Sequence, residues 1–171
     1  MAPSLDTLNR LDRNEFRRSL GGVFEQSPWV ADRAFDARPF ASSEALHAAM
    51  VAVVLRAARE ERLALIRAHP DLGGKAARAG AMSAPSVAEQ SSAGLDRLTD
   101  EEYARFERLN AAYREKFGFP FVIAVRRHDK RAILAAFEAR LGNGVDDEMQ
   151  AALGQIAEIA RLRLEAITSD C

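Results

Sequence analysis

A histidine stands directly before a proline in the segment RAHPDLGGKAARAG, residues 67–80, where it could do acid–base chemistry. Proline disfavours helical geometry for the residue before it, so the helix containing EERLALIRA should end near His69. The negative end of the helix dipole would favour the protonated imidazole, which ordinarily titrates near neutral pH. His69 is therefore a candidate general acid or base, and a histidine that only caps the helix is the alternative. Gly73 and Gly74 would let the backbone approach a ligand closely, or would only form a turn.

A second group of polar residues occurs in SVAEQSSAG, residues 86–94. Ser86, Glu89 and Gln90 are spaced i, i+3 and i+4, so they share one face if the segment is helical. Pro85 marks the start of that helix. A hydroxyl, a carboxylate and an amide on one face could bind a polar ligand, although the segment by itself is more typical of a solvent-exposed face.

The final helix carries an arginine at the edge of its apolar face. That face is formed by Ile156, Ala160, Leu164 and Ile167. At about 100° per residue, Arg163 lies near the apolar face in projection, whereas Arg161 points further out. A guanidinium in that position needs an anionic partner. The partner would be either a ligand or an internal carboxylate such as Glu89 or Asp71.

These candidates must be held by helices, because nearly all the apolar patterns repeat at helical spacing. One apolar face comprises Leu46, Ala49, Met50, Val53 and Val54, and another comprises Phe106, Leu109, Tyr113 and Phe117. Ser43 is predicted to cap the first helix. Thr99 and Glu102 have capping-box spacing before the second, which Gly118 should end. Further helices are predicted over DRNEFRRSLGG, from Pro28 with Ser27 as its N-cap, from about Ile133 to Gly142, and from about Asp146 to Ile167.

One apolar run, FPFVIAVR at residues 119–126, has the composition of a strand. No second run could pair with it, so an extended segment within a helical domain is the better interpretation. The sequence therefore predicts an all-α fold. We expect a single domain over residues 1–171, a bundle of about seven to nine helices with one extended segment near 119–126.

Composition and charge exclude several classes of protein. The chain has 171 residues with 24 basic and 25 acidic side chains, and its net charge of −1 argues against binding to nucleic acid or to a membrane surface. No segment has the length and apolar character of a signal peptide or a membrane span. The single cysteine, Cys171, excludes an intrachain disulfide and fits a reducing compartment, so a cytoplasmic location is expected.

Five segments in this order resemble the family of 2-oxo-4-hydroxy-4-carboxy-5-ureidoimidazoline (OHCU) decarboxylases, which complete the conversion of uric acid to allantoin. The matching segments are GGVFEQSPWVA (21–31), HPDLGGK (69–75), SVAEQSSAGL (86–95), LNAAYREKFGFPFVIAVR (109–126) and EIARLRL (158–164). No single segment is decisive, but five of them with compatible spacing are highly specific.

The resemblance implies the site residues and their roles. His69 and Glu89 would be catalytic, with the carboxylate orienting or charge-coupling the imidazole. Backbone groups of the extended segment would bind the ureido and ring amides. The implied substrate-binding residues are Pro70, Ser86, Val87, Ala88, Glu89, Gln90, Phe121, Val122, Ile123, Ala124, Val125 and Arg163.

The resemblance also implies an all-α enzyme that releases CO2 and forms (S)-allantoin with neither a metal nor an organic cofactor. It suggests a homodimer, and urate oxidase and hydroxyisourate hydrolase would act before it in the pathway. The contexts of His47 and His128 likewise give no support for a metal site.

Two other classes of protein are weighed against this enzyme. In a histidine phosphotransfer domain, HPDLGGKAARAG would contain the phosphorylated histidine, but that histidine must be exposed in the middle of a continuous helix, and Pro70 makes this difficult. In a non-catalytic helical adaptor, Glu89, Gln90 and Arg163 would only solvate the surface.

Overall fold

The computed structural model describes residues 3–168, and within them it contains α-helices and two short 3₁₀ helices but no strand. The all-α prediction is confirmed. The α-helices are α1 (Leu5–Arg10), α2 (Arg13–Leu20), α3 (Trp29–Ala34), α4 (Ser43–Arg56), α5 (Arg59–Ala68), α6 (Lys75–Arg78), α7 (Ala84–Ser92), α8 (Asp100–Phe117), α9 (Lys130–Arg140) and α10 (Val145–Thr168). The 3₁₀ helices span Phe35–Ala37 and Val125–Arg127. Cys171 lies outside the described residues, and among those described no helix is both long and apolar enough to cross a membrane.

The chain divides into two compact units, and the first contains the described residues 3–68 and 157–168. In this unit α3 packs on both α2 and α4. Its buried side chains include Leu8, Phe16, Leu20, Val30, Leu46, Met50, Val54, Leu65, Ile66, Ala160 and Leu164. Two predicted helix starts shift by one residue. Ser42 caps α4 through a hydrogen bond from the Ala45 N–H, and Ser43 is the first helical residue. Pro28 takes the capping position before α3, and Trp29 is the first helical residue.

The second unit, His69–Ile156, has an aromatic core. Five rings contact one another there, those of Tyr113, Phe117, Phe119, Phe121 and Phe137. The rings of Phe121 and Phe137 are stacked with their centroids 4.0 Å apart. Both predicted ends of α8 are confirmed: Thr99 and Glu102 form the capping box, and Gly118 ends the helix with φ of 75°.

The buried face of α8 differs from the prediction at one position. Asn110 is only 4% exposed, whereas Leu109 is half-buried. The rotation of about 100° per residue places position 110 roughly 40° from Phe106 and position 109 roughly 60° from it. Helical geometry therefore favours Asn110 on the buried face, although its side chain is polar.

The segment predicted to be extended is partly helical. Residues 121–124 are buried and belong to no helix or strand, but Val125 and Arg126 belong to a 3₁₀ helix. The turn closes because the Ala124 and Val125 carbonyls accept hydrogen bonds from the Arg127 and His128 N–H groups.

Candidate functional site

His69 lies where the sequence places it, at the residue that follows the last turn of α5. Its side chain is 6% exposed, and the ring atom Nε2 is buried. Pro70 follows it and is half-buried. An imidazole held at the end of a helix and shielded from water can exchange a proton with a bound ligand better than with bulk solvent.

The loop after Pro70 is tied to α7 by one side chain. Gln90 is 3% exposed, and its Oε1 accepts the Gly73 N–H at 2.9 Å while its Nε2 donates to the Asp71 carbonyl at 3.0 Å. The same Nε2 also contacts Met82 Sδ at 3.3 Å. Because both N–H groups and the oxygen of this amide are used, Gln90 fixes the backbone next to His69. A direct contact with substrate would compete with these bonds.

The predicted polar face of α7 is present but only partly exposed. Ser86 is buried beside Gln90 on one side of the helix, and Glu89 is half-buried. Val87 and Ala88 are exposed and project from other sides of α7, so they do not share the face of Ser86. α7 also packs against the 3₁₀ helix Val125–Arg127. The loop after His69, α7 and the end of the extended segment are thus linked within the second unit.

Two side chains that the sequence did not single out hold the extended segment. Arg140 Nη1 donates to the Val122 carbonyl at 2.7 Å, and the Ala124 N–H donates to Gln155 Oε1 at 3.0 Å. The Arg140 guanidinium also lies over the Phe121 ring, 4.4 Å from its centroid. Some of the backbone groups predicted to bind substrate therefore already have protein partners.

A buried carboxylate anchors Arg140 in turn. Glu148 is fully buried, and its Oε1 accepts hydrogen bonds from Arg140 Nε at 2.5 Å and from the Tyr113 hydroxyl at 2.6 Å. Asn143 Nδ2 donates to its other oxygen at 3.0 Å. Burial, together with the hydrogen bond to Glu148, raises the pKa of Tyr113 well above its ordinary value.

Arg163 belongs to the first unit and is buried, as its place beside the apolar face predicts. Its side chain is 7% exposed, and Nη2 donates to Glu25 Oε2 at 2.9 Å. Nη1 donates to the Gly22 carbonyl at 3.2 Å. The Glu25 carboxylate is only 2% exposed, and the sequence did not predict it as a partner of Arg163. Asp71, which the sequence did offer as a partner, pairs with Arg114 instead. Only the flanking residues VF and QSPW, which are largely apolar, hint that Glu25 is buried.

The family model described as OHCU decarboxylase matches residues 9–165 of the chain. The chain belongs to the OHCU decarboxylase family. It is 47% identical, over 94% of each chain, to a protein of Haloferax volcanii named 2-oxo-4-hydroxy-4-carboxy-5-ureidoimidazoline decarboxylase. A mouse protein of the same name is 36% identical over 92% of this chain and 88% of that one. The uric acid degradation bifunctional protein PucL of Bacillus subtilis is 42% identical over 98% of this chain, which spans 33% of that protein.

Two crystal structures share the fold of this OHCU decarboxylase family member. One is described as (S)-allantoin synthase, with a TM-score of 0.77 and 31% identity, and the match covers 97% of this chain and about half, 54%, of that one. The other is an OHCU decarboxylase in the presence of (S)-allantoin, with a TM-score of 0.67 and 23% identity over 83% of this chain and 92% of that one.

The geometry does not favour the two alternative classes of protein. A phosphotransfer histidine lies exposed within a helix, whereas His69 is buried and follows the end of α5. An adaptor would leave Gln90 and Arg163 in solvent, and both are buried. Within residues 3–168 no group of three or more His, Cys, Asp or Glu side chains is arranged to hold a metal ion.

Proposed function

We propose that this OHCU decarboxylase family member converts OHCU to (S)-allantoin and CO2 in uric acid degradation without a metal or an organic cofactor. The observation that carries this proposal is the 47% identity to a named decarboxylase across nearly the whole of both chains. The buried histidine at the end of α5 supplies an acid–base group of the kind that the reaction requires.

His69 is the proposed catalytic acid or base. The substrate carries its carboxylate on a carbon that also bears a hydroxyl, next to the carbon that bears the ureido group. When the bond to the carboxylate breaks, CO2 leaves and the electron pair passes into the imidazoline ring. A proton must then be added to carbon. An imidazole in a fixed position can deliver it to one face of the ring, which would make the product a single enantiomer.

The other site residues are proposed to hold the substrate. Glu89 orients the imidazole or stabilises its charged form, since a nearby carboxylate favours imidazolium. Ser86 and the backbone of residues 121–125 offer hydrogen bonds to the ureido and ring amides. Pro70, Val87, Ala88 and Gln90 complete the proposed contacts, and the bonds of Gln90 to the loop make its part mainly one of support. Arg163 remains a proposed substrate-binding residue on the resemblance alone.

The function is tested by generating the unstable substrate in place with urate oxidase and hydroxyisourate hydrolase. Decay of its absorbance and growth of the allantoin circular dichroism signal should be accelerated by the wild-type protein. His69→Ala should abolish this acceleration while leaving the helical circular dichroism and the melting temperature nearly unchanged. A folded His69→Ala protein with normal turnover would remove His69 from the mechanism.

The proposed proton delivery predicts a stereochemical result in deuterated water. Wild type should give optically active allantoin with one deuterium at the new C–H bond. His69→Asn should give slow and largely racemic product, because water then protonates both faces. A slow variant that still forms one enantiomer would assign proton delivery to another group, such as Glu89 acting through water.

We also propose a homodimer in the cytoplasm. The family resemblance suggests the dimer, and the single cysteine fits a reducing compartment. Sedimentation equilibrium of the purified protein measures the oligomeric state directly. A monomer over the working concentration range would contradict the proposed homodimer.

A further inference from the structure

Side chains of two other helices, α7 and α8, bind the three residues that follow Pro70. Gln90 of α7 binds the Asp71 carbonyl and the Gly73 N–H. Asn110 Nδ2 of α8 donates to the Leu72 carbonyl at 3.0 Å. Arg114 Nε, one turn further along α8, donates to Asp71 Oδ1 at 2.9 Å. Four side-chain hydrogen bonds therefore hold residues 71–73.

Asn110 occupies a position where an apolar residue would be the ordinary choice. It is 4% exposed on the face of α8 that otherwise buries Phe106, Tyr113 and Phe117. Its Oδ1 is buried and accepts no hydrogen bond among the residues that the structure describes. A buried acceptor without a donor is unfavourable, so packing does not explain why an amide stands at this position. The hydrogen bond from Asn110 to the Leu72 carbonyl does explain it.

Arg114 makes a bond whose removal should leave the fold intact. Its side chain is 47% exposed and Asp71 is 27% exposed, and exposed ion pairs of this kind contribute little to stability. The bond does fix the direction of the Asp71 side chain, two residues after His69.

We propose that Asn110 and Arg114 are positioning residues, which hold residues 71 and 72 and thereby the direction of the His69 imidazole. The catalytic meaning of this proposal rests on the proposed function. Proline restricts its own φ and the conformation of the residue before it. Fixing Asp71 and Leu72 therefore leaves the backbone at His69 little freedom. A displacement of about 1 Å in a catalytic group can reduce a rate about 10²-fold.

The first test is kinetic and uses three variants of α8. Asn110→Leu removes the donor to Leu72 and should lower kcat about 10-fold to 10²-fold, with KM little changed. Arg114→Met should lower kcat several-fold at an unchanged melting temperature, and Arg114→Lys should recover most of that loss because lysine keeps a donor for Asp71. Arg108→Met, an exposed arginine of the same helix, is the matched control and should behave as wild type.

Enantiomeric purity of the product distinguishes positioning from a loss of stability. If the imidazole is misdirected, water competes for proton delivery, so the allantoin from Asn110→Leu and Arg114→Met should be partly racemic. Variants that are less stable but form pure (S)-allantoin at the normal kcat would overturn the proposal. Equal losses in Arg108→Met would overturn it as well. If Asn110→Leu does not fold, Arg114→Met and Arg114→Lys decide the matter.

A second readout needs no activity. The chain contains three histidines, so ¹⁵N-labelled imidazole rings give three sets of NMR signals, and the set that is lost in His69→Asn belongs to His69. Asn110→Leu and Arg114→Met should shift or broaden the His69 signals, while those of His47 and His128 stay in place. If wild type fails to decarboxylate OHCU, the proposed function is wrong, and these signals still decide the positioning. Unchanged His69 signals in both variants would refute it.

Discussion

At the scale of single residues, the buried polar side chains show where this fold gives up hydrophobic burial for specific bonds. Gln90, Asn110, Glu148 and Arg163 are all at least nine-tenths buried, and each hydrogen-bonds to backbone or to another buried group. Burying a polar group is unfavourable unless it is hydrogen-bonded, so substitutions that remove one partner at these positions should be destabilising. Two of them bind the loop that follows His69.

Arg163 should matter for stability as well as for any contact with substrate. Arg163→Ala leaves the Glu25 carboxylate buried without the guanidinium at 2.9 Å, and breaking a buried pair in this way costs about 3–5 kcal/mol. Chemical denaturation measures the loss. The double variant Arg163→Met with Glu25→Gln should recover part of it, because no charge then remains buried at the pair. A single Arg163→Ala variant of wild-type stability would contradict this account.

Substrate binding is a separate measurement on the same residue. Arg163→Lys keeps the charge but loses the planar, multi-donor group, so it should restore binding only in part if Arg163 contacts the substrate. Normal KM in a destabilised Arg163→Ala protein would assign this arginine to the internal ion pair alone.

At the scale of secondary structure, local signals define the helices that carry the site. α5 ends before His69 and Pro70, and α8 runs between the capping box at Thr99 and the left-handed Gly118. α8 carries both Asn110 and Arg114, so its register determines whether they reach the loop at residues 71–73.

Thr99 in the capping box of α8 should contribute to stability more than to activity. Thr99→Ala removes the side-chain acceptor of the Glu102 N–H and should lower the free energy of unfolding by about 1 kcal/mol. The effect on kcat should be small, because the rest of the helix keeps its register. Glu115→Ala, an exposed substitution in the same helix, is the control for denaturation experiments. A large decrease in kcat, together with the small expected decrease in the free energy of unfolding, would mean that the start of α8 acts on the site directly.

At the scale of the whole molecule, the second unit has a polar centre within its aromatic core. Glu148 receives hydrogen bonds from Tyr113 and Arg140 there, and Arg140 continues to the Val122 carbonyl. The same cluster therefore supports both the packing of the rings and the proposed substrate-binding segment.

The raised pKa of Tyr113 predicts alkaline instability. An unfolded tyrosine titrates near pH 10, whereas burial and Glu148 keep the folded hydroxyl protonated to higher pH. The contribution of the protonated Tyr113 hydroxyl to the free energy of unfolding is complete below about pH 10. It is lost above that pH, because only the unfolded chain then releases a proton. The free energy of unfolding should fall by at most about 1.4 kcal/mol per pH unit through this one group.

Chemical denaturation between pH 9 and 11 measures the effect. The free energy of unfolding should fall more steeply with pH for wild type than for Tyr113→Phe. Tyr103→Phe, at the only other tyrosine of the sequence, is the matched control variant.

Local sequence was enough to predict the features that depend on neighbouring residues. Pro70 ends a helix, Thr99 and Glu102 begin one and Gly118 stops it, because each acts within one helical turn. Ordered motifs also predicted the family that the comparisons confirm.

Which polar groups meet depends on how distant parts of the chain pack together. Asn110 reaches a carbonyl 38 residues away and Arg163 a carboxylate 138 residues away, and no local rule predicts either pair. Leu109 was expected on the buried face because it is apolar, and Asn110 takes that place. The physical reason is that hydrophobic patterning predicts which faces are buried, whereas a buried polar residue is stable only beside its particular partner, and the folded chain alone supplies that partner.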